Sequence, residues 1–268
     1  MPRTSQSADS LIAESHRQIQ EAWRYFATQL PDGRVSTARG LLIANGRSPL
    51  PFMNAAFLTE PVVDEADLRE RLGHAAGQFR ELGLHWVFMI AEDLLPAPIA
   101  ANLGSVAGEF GLQHMMPMTG MVADSLQPPV RPLPALDCRP VTDDPTRRGV
   151  GDVNGAGYDM PGDLMNAAIA VPAIWTDMVA VVGYVDGAAV STAAATRVDD
   201  VAYVCLVATR PAHQGKGYAE VVMRQALADA RVRWGIERTV LHATPAGRPA
   251  YTRMGYAPTN EFQIYVGG

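Results

Sequence analysis

Cysteine is scarce in this chain. Cys138 and Cys205 are its only two, both within apolar, strand-like runs, so neither a disulfide framework nor a cysteine metal cluster is available. His16, His74, His85, His114, His213 and His242 fall at no metal-binding spacing, and no metal is expected. A long apolar run is missing too. Nothing approaches the roughly 20 consecutive apolar residues of a membrane helix, and the opening MPRTSQSADSLIAESHRQ lacks the apolar stretch of a secretory signal. The expectation is a cytoplasmic protein with no membrane association. Surplus positive charge is also absent. A formal net charge of −6 argues against a nucleic-acid binder, which needs a basic surface to meet phosphates, and weakly favours a cationic partner.

What the chain does have is core. Apolar residues make up 48% and charged residues 19% of its 268 positions, a globular composition with room for one large domain or two ordinary ones. Ile12, Ile19, Trp23 and Phe26 recur at helical spacing and predict a helix from about Asp9 to Gln29. Strands are expected at 40–44 and 53–58. Asp64 then caps a helix whose apolar face is Leu68, Leu72, Ala75, Ala76, Phe79 and Leu82. A strand at 86–90, a helix at 99–110 and a strand at 115–122 follow.

Residues 127–135 hold Pro128, Pro129, Pro132 and Pro134. Proline fixes φ and offers no amide donor, so this stretch reads as a stiff linker between a domain at 1–126 and another at 136–268. Beyond it come a strand at 136–141, a helical region at 145–176 broken by glycine and proline, and strands at 179–185, 189–197 and 201–208. Asp186-Gly187 is a hairpin signal between the first two of these three. A helix from Tyr218 to Trp234 ends at Gly235, followed by a strand at 239–243, a short helix at 249–254 and a last strand at 262–266. The two halves share an order of strand, proline, long helix and strand. Any βαβα segment has that order, and a degenerate internal repeat has it as well.

The informative segment is Val207-Ala208-Thr209-Arg210-Pro211-Ala212-His213-Gln214-Gly215-Lys216-Gly217-Tyr218-Ala219. A strand ends, and a glycine-rich loop opens a long helix. Glycine lets backbone approach a ligand, and the helix N-terminus adds unpaired amides and the positive end of its dipole. Together these suit a pyrophosphate, and Lys216 can add a point charge. Gln214–Ala219 resembles motif A of the GNAT superfamily of N-acetyltransferases, Gln/Arg-x-x-Gly-x-Gly/Ala, residue for residue. Leu136–Thr142 looks like that family's first strand. Ala250-Tyr251-Thr252-Arg253-Met254-Gly255-Tyr256 looks like its motif B, Tyr-x-x-x-Gly-Phe, with Tyr256 for phenylalanine.

The resemblance covers Leu136 to the C-terminus. It implies an α/β (α+β) fold: a mixed, twisted sheet flanked by helices, with acyl-CoA, most simply acetyl-CoA, between splayed fourth and fifth strands. Val207, Ala208 and Thr209 would run along the pantetheine arm, and one of their backbone amides would polarise the thioester carbonyl. Gln214, Gly215, Lys216, Gly217, Tyr218 and Ala219 would hold the pyrophosphate. Tyr251 matches the family's general acid, with a packed aromatic as the alternative. Two positions depart from the family. Cys205 stands where many members carry a glutamate base, and Thr244 stands where motif B usually has asparagine. Tyr203, two residues before Cys205, faces the same side and could relay a proton. Tyr218 and Tyr256 also read as packing residues. The N-terminal half resembles the family in layout only. Its Thr59–Glu65 segment carries three acids and no glycine, so it is expected to bind no cofactor and to serve as scaffold, acceptor-site wall or homodimer surface. The expected partner is a primary amine on a small molecule or peptide. A non-catalytic acyl-CoA sensor is the alternative.

Overall fold

The structure, a computed structural model, describes residues 7–268; the opening residues read above for a secretory signal lie partly outside that range. The chain starts with α1 (Ala8–Gln29), β1 (Arg34–Ala38), β2 (Leu41–Asn45) and β3 (Asn54–Leu58). Next come α2 (Glu65–Glu81), β4 (Trp86–Ala91), α3 (Ala97–Glu109) and β5 (Gln113–Ala123). Strand β1 was not expected from the sequence. Its residues are mostly exposed, so it lacks the apolar alternation that marks a strand. It is closed onto β2 by Arg39 and Gly40, both at positive φ, as a two-residue hairpin turn demands. Ser7 and Asp64 cap α1 and α2 with side-chain oxygens. The apolar face of α2 is buried from Leu68 to Phe79. Leu82, grouped with that face above, lies past the helix end and is exposed.

The chain continues with β6 (Asp137–Pro140), α4 (Asp144–Gly157), α5 (Gly162–Ile169), β7 (Met178–Val185), β8 (Ala188–Val198) and β9 (Val201–Thr209). It ends with α6 (Tyr218–Trp234), β10 (Thr239–Ala243), α7 (Arg248–Arg253) and β11 (Ala257–Gly267). The region read as broken helix resolves into α4, α5 and a 3-10 turn at Pro172–Trp175. The Asp186-Gly187 hairpin is present with both residues at positive φ.

Two compact units result, and they do not follow the halves of the sequence. One takes in the chain up to Gly120 together with Ala243–Ala246 and Pro258–Gly268; the other is Met121–His242 with Gly247–Ala257. The last strand was assigned to the C-terminal domain, whereas it pairs antiparallel with β4, Phe262 opposite Ala91 through Gly267 opposite Trp86. Phe262 and Ile264 are buried there. Strand order is β1-β2-β3-β4-β11-β5 in the first unit. In the second it is β6-β7-β8-β9-β10-β5, with β5 entering through Met121–Ala123. Each unit is a mixed sheet: β3–β4 and β9–β10 run parallel among antiparallel neighbours. In the second unit α4 and α6 pack on β7, β8 and β9. The proline-rich stretch carries neither helix nor strand and lies within the second unit.

Candidate functional site

The site is built on an irregularity in β9. Thr192 of β8 faces Ala208 and Ala194 faces Cys205, so one residue of β8 is opposed by both Leu206 and Val207. This is a β-bulge. Leu206 takes φ +51, a region that costs a branched, non-glycine residue of order 1–3 kcal/mol. Buried hydrogen bonds hold it there. The Thr192 hydroxyl donates to the Leu206 carbonyl (2.9 Å), and the Asn154 amide donates to the same carbonyl (3.5 Å) and to the Thr192 hydroxyl (3.0 Å). Asn154 and Thr192 are fully buried.

The bulge sits where β9 parts from β10. The parallel register between them covers only Thr239 with Ala202 and Val240 with Tyr203. Beyond it β9 keeps β8 as its partner, and the Arg210 amide donates to the Val190 carbonyl. Backbone groups alternate along a strand, so the amides and carbonyls of Val207 and Thr209 face away from β8, on the side β10 has left. The Val207 carbonyl there accepts from the Tyr158 hydroxyl (2.9 Å).

The loop after β9 leaves its own amides bare. Gly215 and Gly217 adopt φ +75 and +91, the second as N-cap of α6 with no side-chain cap. Among the described residues, no backbone amide from Gly215 to Glu220 makes a hydrogen bond within the protein. The α1, α2 and α4 helices begin on a capping side chain, whereas α3, α5, α6 and α7 do not. Gln214 anchors the loop by donating its side-chain amide to the Thr209 carbonyl (3.2 Å). Lys216 is exposed, and the Tyr218 ring leans on His213.

Tyr251 lies on α7 with its ring against Gly247, where a Cβ would come within 2.8 Å of it. Its hydroxyl makes no hydrogen bond among the described residues. Burial pushes its pKa well up, and the nearby Tyr158 and Tyr256 hydroxyls add to that. The Tyr158 ring is half exposed while its hydroxyl is turned inward, and burial pushes that phenol up to about 12. Burial also raises the Cys205 thiol, which keeps it protonated and unsuited to act as a base. Tyr203 is 2% exposed, and its hydroxyl meets His242 Nδ1 at 3.2 Å. Tyr256 is buried on Thr239. Thr244 follows β10 directly and is half-buried. Trp175 donates its indole N–H to the Ile169 carbonyl and is a packing residue. Among the described residues, no group of His, Cys, Asp or Glu could hold a metal ion, and no helix is long and apolar enough to cross a membrane.

The segment that carries the parted strands, the bulge and the bare glycine loop also matches a known family. The model of the acetyltransferase (GNAT) family matches residues 163–256. That segment matches a GNAT domain. No curated protein matches the sequence. Solved structures do match the fold. A GCN5-related N-acetyltransferase from Kribbella flavida is 22% identical, with 94% of this chain and 95% of that one covered at a TM-score of 0.68. A GCN5-related N-acetyltransferase from Sphaerobacter thermophilus is 12% identical over 85% and 76%, at 0.58. A tandem GNAT protein from the clavulanic acid biosynthesis pathway is 12% identical over 96% and 93%, at 0.57. The fold of this chain is that of tandem GNAT proteins.

The first unit lacks the bulge and the bare amides of the second. Strand β3 pairs with β4 through Ala55, Ala56 and Phe57 without a bulge. The α2 N-terminus is occupied by its own acids: Asp64 accepts from the Asp67 amide (2.8 Å) and Asp67 from the Val63 amide (2.9 Å). Arg71 binds Asp67 and the Glu60 carbonyl, filling the turn. The sequence missed Asn154 and Thr192, because a buried polar pair on a helix and a strand has no local signature. A glycine-spaced helix with an asparagine inside its apolar face was the available hint.

Proposed function

We propose that the second unit is an acyl-CoA-dependent N-acyltransferase that moves an acetyl group from acetyl-CoA to a primary amine on a small molecule or peptide. The observation that carries this reading is the run of bare amides from Gly215 to Glu220 at the end of a bulged strand. Such a run fits a pyrophosphate, and the outward amides of Val207 and Thr209 fit the arm leading from it. Acetyl-CoA, when bound, supplies an activated thioester. An amide of the Val207–Thr209 stretch would polarise its carbonyl oxygen. Tyr251, like any phenol, is protonated at neutral pH, and burial pushes its pKa further up; it therefore holds a proton that it can donate to the sulfur as the bond to carbon breaks. Tyr203 and His242 form a buried pair able to pass a proton, and are proposed to help take up the one released by the amine. Release of free thiol from acetyl-CoA across a panel of amines tests the reading; turnover with an amine supports it.

A second reading is a sensor that binds acyl-CoA without turnover. The raised thiol at Cys205 favours it, since no base stands at the family's glutamate position. Tight CoA binding with no thiol release under any amine would support the sensor.

A further inference from the structure

The proline-rich stretch read as a linker is clamped to the second unit at both ends. The Gln127 amide donates to the Met254 carbonyl (2.9 Å), and the Arg224 guanidinium donates to the Gln127 carbonyl (2.8 Å). Gly255 leaves the room that Gln127 occupies. At the far end Leu136 fills the space over Gly183 beside Val222. Between the clamps the strap crosses the start of α6. A Cβ on Gly217 would lie 3.3 Å from Pro134 Cδ and 3.6 Å from Arg131 Nη2. The Arg131 guanidinium therefore stands over the N-cap of the bare-amide helix.

Charge points the same way. Arg131 is exposed and, like Arg34, Arg80 and Arg148, has no ion pair among the described residues. Glu220, the acid in the first turn of α6, is engaged by Arg224 (2.8 Å) and does not neutralise the loop. Lys216, in the loop itself, is the only lysine in the chain. Bare amides, a lysine and an unpaired arginine thus converge on one end of α6. An arginine there presents several donors in a fixed fork suited to phosphate oxygens, and prolines hold its backbone without needing ladder partners.

We infer that Arg131 is a phosphate-binding residue of the acyl-CoA site, delivered by the strap rather than by the GNAT loop, and that it acts with Lys216. The inference rests on the acyl-CoA reading above. It is tested by calorimetry with CoA and with dephospho-CoA at two salt concentrations, on wild type, Arg131→Gln, Arg131→Lys and Lys216→Gln. Arg231→Gln, at the other end of α6 and paired with Glu237, is the control. Arg131→Gln is expected to weaken CoA binding about tenfold, the size of one charge-assisted hydrogen bond, and to flatten its salt dependence. Arg131→Lys is expected to recover part of the loss, and the control none to lose. An equal loss with dephospho-CoA assigns Arg131 to the pyrophosphate; a loss confined to CoA assigns it to the 3′-phosphate. Arg131→Gln binding CoA as wild type does, with the same salt dependence, overturns the inference and leaves the acyl-CoA site standing. Wild type that takes up no CoA overturns both.

Discussion

Tyr251 and Leu206 carry opposite kinds of information. Tyr251 is an unbonded phenol whose pKa burial pushes further above that of a free tyrosine. Replacing it with phenylalanine keeps the ring on Gly247 and removes only the donor. Steady-state kinetics should then show kcat lower by about two orders of magnitude, with KM and CoA affinity unchanged; wild-type kcat under chemistry-limited conditions would return Tyr251 to packing. Because the shift is upward, the protonated form persists to higher pH than for a free tyrosine. The alkaline fall in rate due to Tyr251 should therefore begin only above about pH 10, and a Tyr251-dependent fall near neutrality in the pH–rate profile would contradict this. Cys205, also raised by burial, should react slowly with alkylating reagents, and Cys205→Ala should keep activity. Leu206 stores strain that Thr192 and Asn154 offset. Thr192→Val preserves shape and leaves the Leu206 carbonyl with only the longer bond from Asn154, so denaturant unfolding should show a loss of about 1–3 kcal/mol. CoA affinity should fall with it, since the bulge aims the cleft amides.

At the scale of elements, the sequence told most where a local rule was strong. Gln214–Ala219 and the Asp186-Gly187 hairpin were legible because glycine and aspartate at fixed offsets serve few purposes. The α2 and α6 helices were legible from their apolar spacing. Strand β1 was not, since an exposed edge strand need not alternate. The bulge was not, because nothing in Cys205-Leu206-Val207 marks a positive φ; Asn154 and Thr192, which hold it, are distant in sequence. The strap was misread as a linker because proline content reports stiffness and says nothing of what the stretch lies against. Lys216→Glu is the cleaner probe of the loop: it reverses the local charge and leaves Gly217, whose φ of +91 and closeness to Pro134 forbid a simple side chain. CoA binding by calorimetry should weaken strongly while thermal unfolding stays put. Unchanged affinity would remove the loop from the site.

For the whole molecule, the division into units cuts across the order of the chain. Strand β11 ends the sequence yet completes the sheet of the first unit. Phe262 is 2% exposed on it, so Phe262→Ala should cost about 3–5 kcal/mol, seen as a lower unfolding midpoint. A negligible change would mean that the strand is not needed. The span 136–268, read from the sequence as one domain, would leave this strand without β4. The sites of the two units are unequal: the second has a bulge and bare amides, the first a closed strand pair and a helix end filled by Asp64, Asp67 and Arg71. A titration of the intact protein with CoA, followed by calorimetry, tests this asymmetry and the acyl-CoA assignment together. Saturation is expected at one CoA per chain, abolished or strongly weakened by Lys216→Glu. Two equivalent sites, or a single site indifferent to Lys216→Glu, would contradict it.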